Sequence, residues 1–127
     1  MIGVIDYGMG NLLSVVNALA ILGANVTICR GPDDLAECDR LVLPGVGAFG
    51  DCMQNLHKSG LVEALEKTVR REGRPLIGIC LGMQALAGSS NERGNHAGLG
   101  WIDAQVISFA GDRIDQRIPH MGWNDIS

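Results

Sequence analysis

The sequence predicts a three-layer α/β fold, a parallel sheet with helices on both faces. Three observations carry this. Short apolar runs alternate with stretches of helical periodicity, the connections between them are short, and glycines gather where the apolar runs end. A chain of 127 residues, 46% hydrophobic and 19% charged, fits one domain that builds a core without covalent staples.

Residues 2–5 (IGVI) form the first strand, ended by Asp6 and the turn Gly8-Met9-Gly10. A helix is predicted over 11–22, with Leu12, Val15, Val16, Leu19 and Leu22 at helical spacing, Asn11 as N-cap and Gly23 as stop. Residues 25–29 read as a second strand and 40–43 as a third. Between them lies a short helix around Asp33, Asp34, Glu37 and Asp39, and Pro44-Gly45-Val46-Gly47 closes the third strand. The pattern over 61–72 is the clearest amphipathic helix. Leu61, Val62, Leu65 and Val69 share one face, and Glu63 with Lys67 and Glu66 with Arg70 are i,i+4 pairs. Residues 75–79 are nearly all apolar and predict a fourth strand buried on both faces. A helix over 81–87 follows. Beyond Ser89 the pattern predicts a polar loop to Gly100, then a strand over 104–109, and 110–127 shows no strong periodicity. No repeat or linker divides the chain, so residues 1–127 are expected to form a single domain.

Charge and composition exclude several functions. Ten Lys and Arg stand against fourteen Asp and Glu, a net charge of −4. Without a basic face there is no expected nucleic-acid partner. No apolar run approaches the roughly 20 residues of a membrane span, and the N-terminus lacks the basic flank of a secretory signal, so a soluble cytoplasmic protein is expected. Cys29, Cys38, Cys52 and Cys80 form no C-x-x-C and have no histidine at ligand spacing, so no metal is expected. Gly8-Met9-Gly10 is no dinucleotide fingerprint: its third glycine would fall at Leu13, and no acidic residue ends the second strand. No cofactor is expected.

The sharpest motif is Gly78-Ile79-Cys80-Leu81-Gly82, set between an apolar strand and a helix. It is the cysteine version of a nucleophile elbow. A tight strand-to-helix turn lifts the nucleophile above the sheet edge, and flanking glycines keep neighbours from colliding. The helix start favours the thiolate, and the Leu81 amide is expected to face a developing oxyanion. Pro44-Gly45-Val46-Gly47 should lie at the same sheet edge, where a mobile glycine backbone would supply a second amide. A cysteine nucleophile needs a base. His57 (in an expected solvent-facing helix), His96 (in an expected loop) and His120 all read better as surface or loop residues. The residues thus give a nucleophile without its base, and a buried structural thiol remains the competing reading.

GICLGMQ with LPGVG upstream resembles the class I glutamine amidotransferases. DYGMGNLLSV, GLGWI and PHMGWN narrow the resemblance to the glutaminase subunits of imidazole glycerol phosphate synthase. The resemblance implies a flavodoxin-like core that hydrolyses glutamine and passes ammonia to a separate (β/α)₈ cyclase subunit, as a cytoplasmic heterodimer in histidine biosynthesis. It makes Cys80 the nucleophile of a γ-glutamyl thioester and Val46 and Leu81 the oxyanion amides, with Gly45 and Gly47 giving their strand mobility. Gln84 and Glu92 would hold the amino-acid end of the substrate. Asn11, the 8–10 loop, His120, Met121, Gly122, Trp123 and Asn124 would face the cyclase. The family completes its triad with a histidine and a glutamate from a downstream His-Pro-Glu motif, which this sequence does not contain. The resemblance therefore implies an N-terminal portion of the domain with its C-terminal part missing, inactive alone. A paralogous amidotransferase feeding another synthase, and a non-catalytic flavodoxin-type binding domain, remain alternatives.

Overall fold

Four short apolar segments supply the central sheet of the computed structural model, which describes residues 1–109 and 121–127. They are β1 (Ile2–Ile5), β2 (Val26–Cys29), β3 (Arg40–Leu43) and β4 (Leu76–Gly78), all parallel in the order β2-β1-β3-β4. Period-2 alternation sorts their side chains. Ile5, Cys29, Leu41 and Leu43 join Phe49, Cys52, Leu56, Leu61 and Leu65 in one buried cluster. The helical members of that cluster come from α2 (Phe49–Lys58) and α3 (Leu61–Leu65). Each fully buried side chain of this size contributes about 1.5–3 kcal/mol, so this face is the core.

The opposite face is thinner. α1 (Leu12–Ile21) packs on β1 and β2, yet none of its residues is buried. Asn11 caps it as predicted: its side-chain oxygen accepts the Ser14 N–H at 3.3 Å. A 3₁₀ helix over Pro32–Glu37 starts where the Asp34 carboxylate accepts the amides of Arg30 (2.7 Å) and Gly31 (3.1 Å). Its C-terminal end is closed by Arg74, whose guanidinium donates to the carbonyls of Leu35 at 2.7 Å and Cys38 at 2.8 Å.

Five expectations are corrected. The single α-helix over 61–72 is α3 followed by a π-helical segment, Glu66–Arg71. The wider turn moves the ion pairs: Lys67 meets Glu72 at 4.0 Å, and Glu66 instead accepts the Trp101 indole N–H at 2.7 Å. The fourth strand is not buried on both faces. Ile77 is 63% exposed and Ile79, just past β4, 41%, and among the described residues β4 pairs on one side only. The helix after Cys80 is one turn, α4 (Leu81–Gln84), because residues 87–90 are drawn into a strand. The expected loop to Gly100 instead builds a second sheet, in which β5 (Ala87–Ser90) pairs antiparallel with β6 (His96–Ala97) and parallel with β7 (Ile102–Val106). β7 thus begins and ends earlier than the strand predicted over 104–109. Pairing between separate segments of this kind leaves no periodic trace in so short a stretch.

Candidate active site

The elbow forms because β3 and the turn that follows it hold its two arms. The Ile79 N–H extends the ladder by donating to the Leu43 carbonyl at 2.9 Å, and the Leu81 N–H donates to the Gly45 carbonyl at 3.2 Å. Cys80, pinched between them, takes φ 55 and ψ −115, a region that L-residues avoid, and its thiol is exposed. α4 starts at once, with Gln84 N–H on the Cys80 carbonyl at 3.1 Å. The flanking glycines are sterically required. A Cβ at Gly78 would meet the Met83 backbone at 2.6 Å, and one at Gly82 would overlap the Leu43 carbonyl oxygen.

The neighbouring turn abuts the elbow, as the sequence predicted, but in a different state. The Leu81 amide expected to face an oxyanion is already spent on Gly45. In a trans peptide the Val46 N–H points opposite to the Gly45 carbonyl, so it faces away from Leu81. The Leu81 amide is thereby occupied within the protein, because an orphan first-turn amide takes the nearest acceptor. Gly45 has no room for a side chain, since a Cβ there would run into the Tyr7 hydroxyl and come within 3.0 Å of the Gly82 amide nitrogen. Gly47 has φ +119, and the Met9 side chain lies against it. Val46 is exposed.

Beneath this turn lie residues that no sequence motif marks. The buried Tyr7 hydroxyl donates to the Pro44 carbonyl at 2.8 Å and accepts from the Cys52 thiol at 3.5 Å. Burial, then the Cys52 contact, pushes the Tyr7 phenol far above its ordinary range, and burial likewise raises Cys52. Tyr7 shares the parity of Ile5, two residues past it, and that was the available signal.

The remaining predicted residues are more scattered. Gln84 is half-buried one turn beyond Cys80. Glu92 lines a cleft of about 390 Å³ with Gly50, Asp51, Gln54, Arg93 and His96. His96 is therefore no loop residue: it sits in β6 with its ring against Gly50 and its Nε2 3.1 Å from the Arg93 carbonyl. His57 is exposed on α2, as expected, in a separate cleft beside Trp101. Asn11 is exposed, and its neighbour Gly10 lies against Pro44. Met121, Gly122, Trp123 and Asn124 are exposed, while His120 lies outside the described residues. Among the described residues no hydrogen bond joins Cys80 to a histidine, and no cluster of three or more His, Cys, Asp or Glu side chains converges as a metal would need. No helix among them is long and apolar enough to cross a membrane.

Comparison with known proteins gives a consistent picture. The sequence profile of the family described as "Glutamine amidotransferase class-I" matches residues 3–125. A protein from Wolinella succinogenes named "Imidazole glycerol phosphate synthase subunit HisH" is 50% identical over 126 residues, which are 98% of this chain and 61% of that protein. Like-named proteins from Zymomonas mobilis and Pseudomonas aeruginosa (the latter "HisH 2") are 49% and 47% identical, over 98% and 100% of this chain and 61% and 62% of theirs. The chain thus spans about three fifths of the length of these curated relatives. A solved structure titled "Crystal structure of glutamine amidotransferase" superposes with a TM-score of 0.72 at 24% identity, covering 87% of this chain and 58% of the other. At that identity it speaks for the fold alone.

Proposed function

This chain belongs to the class I glutamine amidotransferase family, and on that premise we propose that it carries the nucleophile half of the glutaminase site of an imidazole glycerol phosphate synthase, residues 1–127 lying within one amidotransferase domain. The observation that carries the proposal is the exposed Cys80 at φ 55, with its following amide against the Gly45 carbonyl. The Cys80 sulfur attacks the side-chain amide carbon of glutamine. The new S–C bond drives the carbonyl electrons onto oxygen, and their return expels ammonia and leaves a γ-glutamyl thioester, which water cleaves to glutamate. Rotating the Gly45–Val46 peptide breaks its bond to Leu81 and aims both amides at that oxygen. Gly45 and Gly47 make the rotation feasible. Gln84 and Glu92 take the charged amino-acid end of glutamine. The proton for the departing ammonia comes from a base that the described residues do not set beside Cys80. Histidine biosynthesis, a cytoplasmic setting and a (β/α)₈ cyclase partner receiving the ammonia follow from the same reading. On it Asn11, the 8–10 loop, His120, Met121, Gly122, Trp123 and Asn124 form the partner face, and no metal or cofactor takes part.

The test is affinity labelling with 6-diazo-5-oxo-norleucine, read by peptide mass. Saturable modification of Cys80, suppressed by glutamine, is the expected result. Labelling of Cys80 by iodoacetamide but not by the glutamine analogue would favour a non-catalytic domain.

A further inference from the structure

The peptide that must rotate has a fixed neighbour. Pro44 carbonyl and Gly45 N–H belong to one peptide plane, and that plane is tied from below by the Tyr7 hydroxyl at 2.8 Å. Gly45 carbonyl and Val46 N–H belong to the next plane, tied by the Leu81 amide at 3.2 Å. The two ties differ in kind. The bond to Leu81 competes with the oxyanion and must break, whereas the bond to Tyr7 involves no group that the oxyanion needs. Tyr7 itself is held by burial in the core cluster. The absent Cβ of Gly45 leaves the space that the hydroxyl fills.

We propose that Tyr7 is a positioning residue for glutamine hydrolysis, holding the Pro44–Gly45 peptide still so that the rotation opening the oxyanion hole is confined to the Gly45–Val46 peptide. The proposal rests on the glutaminase reading above. Its physical content is a pivot: with one plane clamped, turning the next swings the Val46 amide onto the Cys80 side. With both planes free the turn wanders, and the amide spends less time aimed at the substrate oxygen. Because burial raises the phenol far above its ordinary range, the hydroxyl keeps its proton and stays a donor throughout the working pH range.

The test separates oxyanion-dependent from oxyanion-independent chemistry at the same sulfur. The probe is the γ-p-nitrophenyl ester of glutamate, whose leaving group departs without a proton donor, so one round of Cys80 acylation is readable in the 127-residue chain as a burst of nitrophenolate. Iodoacetamide alkylates the same thiol and uses no oxyanion hole. In Tyr7→Phe the acylation rate is expected to fall about tenfold, the scale of one lost buried hydrogen bond, with the alkylation rate within about twofold of the parent. Cys52→Ala, which removes a neighbour of Tyr7 and keeps the hydroxyl on Pro44, should retain the parental ratio of the two rates. An unchanged ratio in Tyr7→Phe overturns the proposal and leaves the glutaminase reading standing. An equal loss in Cys52→Ala also overturns it, because packing would then suffice to explain the effect. No burst in the parent chain, with alkylation intact, overturns the glutaminase reading and this proposal with it.

Discussion

Replacing Cys80 with glycine should make the protein more stable. Cys80 sits at φ 55 and ψ −115, outside even the small left-handed basin, and such a residue stores about 1–3 kcal/mol of backbone strain. Its neighbours hold it there. Ile79 is fixed to Leu43 at 2.9 Å and Leu81 to Gly45 at 3.2 Å, and Leu81 is buried. The Cys80 side chain itself is exposed, so removing it gives up little burial. Cys80→Ala keeps the Cβ and therefore the strain. Cys80→Gly releases the strain and loses about 0.4–1 kcal/mol through the greater freedom of its unfolded chain. The difference leaves Cys80→Gly about 0.5–2 kcal/mol more stable than Cys80→Ala. In urea unfolding this raises the midpoint by roughly 0.5 M per kcal/mol, and the thermal midpoint by about 3–6 °C per kcal/mol at this chain length. An unchanged slope shows that stability changed without a change in the surface exposed on unfolding. Equal or lower stability of Cys80→Gly relative to Cys80→Ala would refute the claim that the elbow stores strain.

Three further outcomes are expected. Burial, then the neighbouring Cys38, pushes Cys29 up to about 12 from an ordinary 9. The unfolded state therefore loses that proton first, and the stability this thiol contributes is whole below pH 9 and is lost as pH rises toward 12. A fall of about 1 kcal/mol between pH 9 and pH 10 in denaturant titrations is the expected size, and a flat profile over that window would contradict it. Ile77→Thr, on the open side of β4, should change stability by less than about 0.5 kcal/mol, whereas Leu43→Ala, fully buried one strand away, should cost about 2–5 kcal/mol. Similar losses in the two would restore the expectation of a doubly buried fourth strand. Glu66→Ala should red-shift the emission of Trp101, whose indole it holds at 2.7 Å, and unshifted emission in a Trp123→Phe background would show that this bond does not fix the second sheet to the π-helical segment.

The site divides along the same line as the fold. Cys80 and its glycine flanks were legible because a strained turn demands particular residues at fixed spacing, and local sterics are written in local sequence. That the 43–47 turn would lie beside the elbow followed from strand order in a parallel sheet, where consecutive crossovers bring carboxyl ends to one edge. The bond from the Leu81 amide to the Gly45 carbonyl was not legible. Whether the Leu81 amide serves a substrate or the Gly45 carbonyl depends on a single peptide orientation, and both orientations suit the same residues. Tyr7 and Cys52 escaped notice for another reason. They are 45 residues apart, and only the packing of α2 under β1 brings hydroxyl and thiol together.

What the sequence determined by itself, then, was whatever a few neighbouring residues enforce: the β1–α1 unit with its Asn11 cap, strands β2 and β3, the elbow, and the family to which the motifs belong. The tertiary structure decided what distant partners supply. Trp101 competes for Glu66 against the i,i+4 pairing that the helix pattern predicted. Residues 87–90 follow an apolar helical pattern, yet they pair with 96–97 and 102–106 as a second sheet. An apolar run such as 75–79 records hydrophobicity and is silent on which neighbours will cover it, so Ile77 ends exposed on an edge strand. Local propensity amounts to tenths of a kcal/mol per residue. Burial and satisfied hydrogen bonds amount to one or more, and where the two disagree the longer-range contacts prevail.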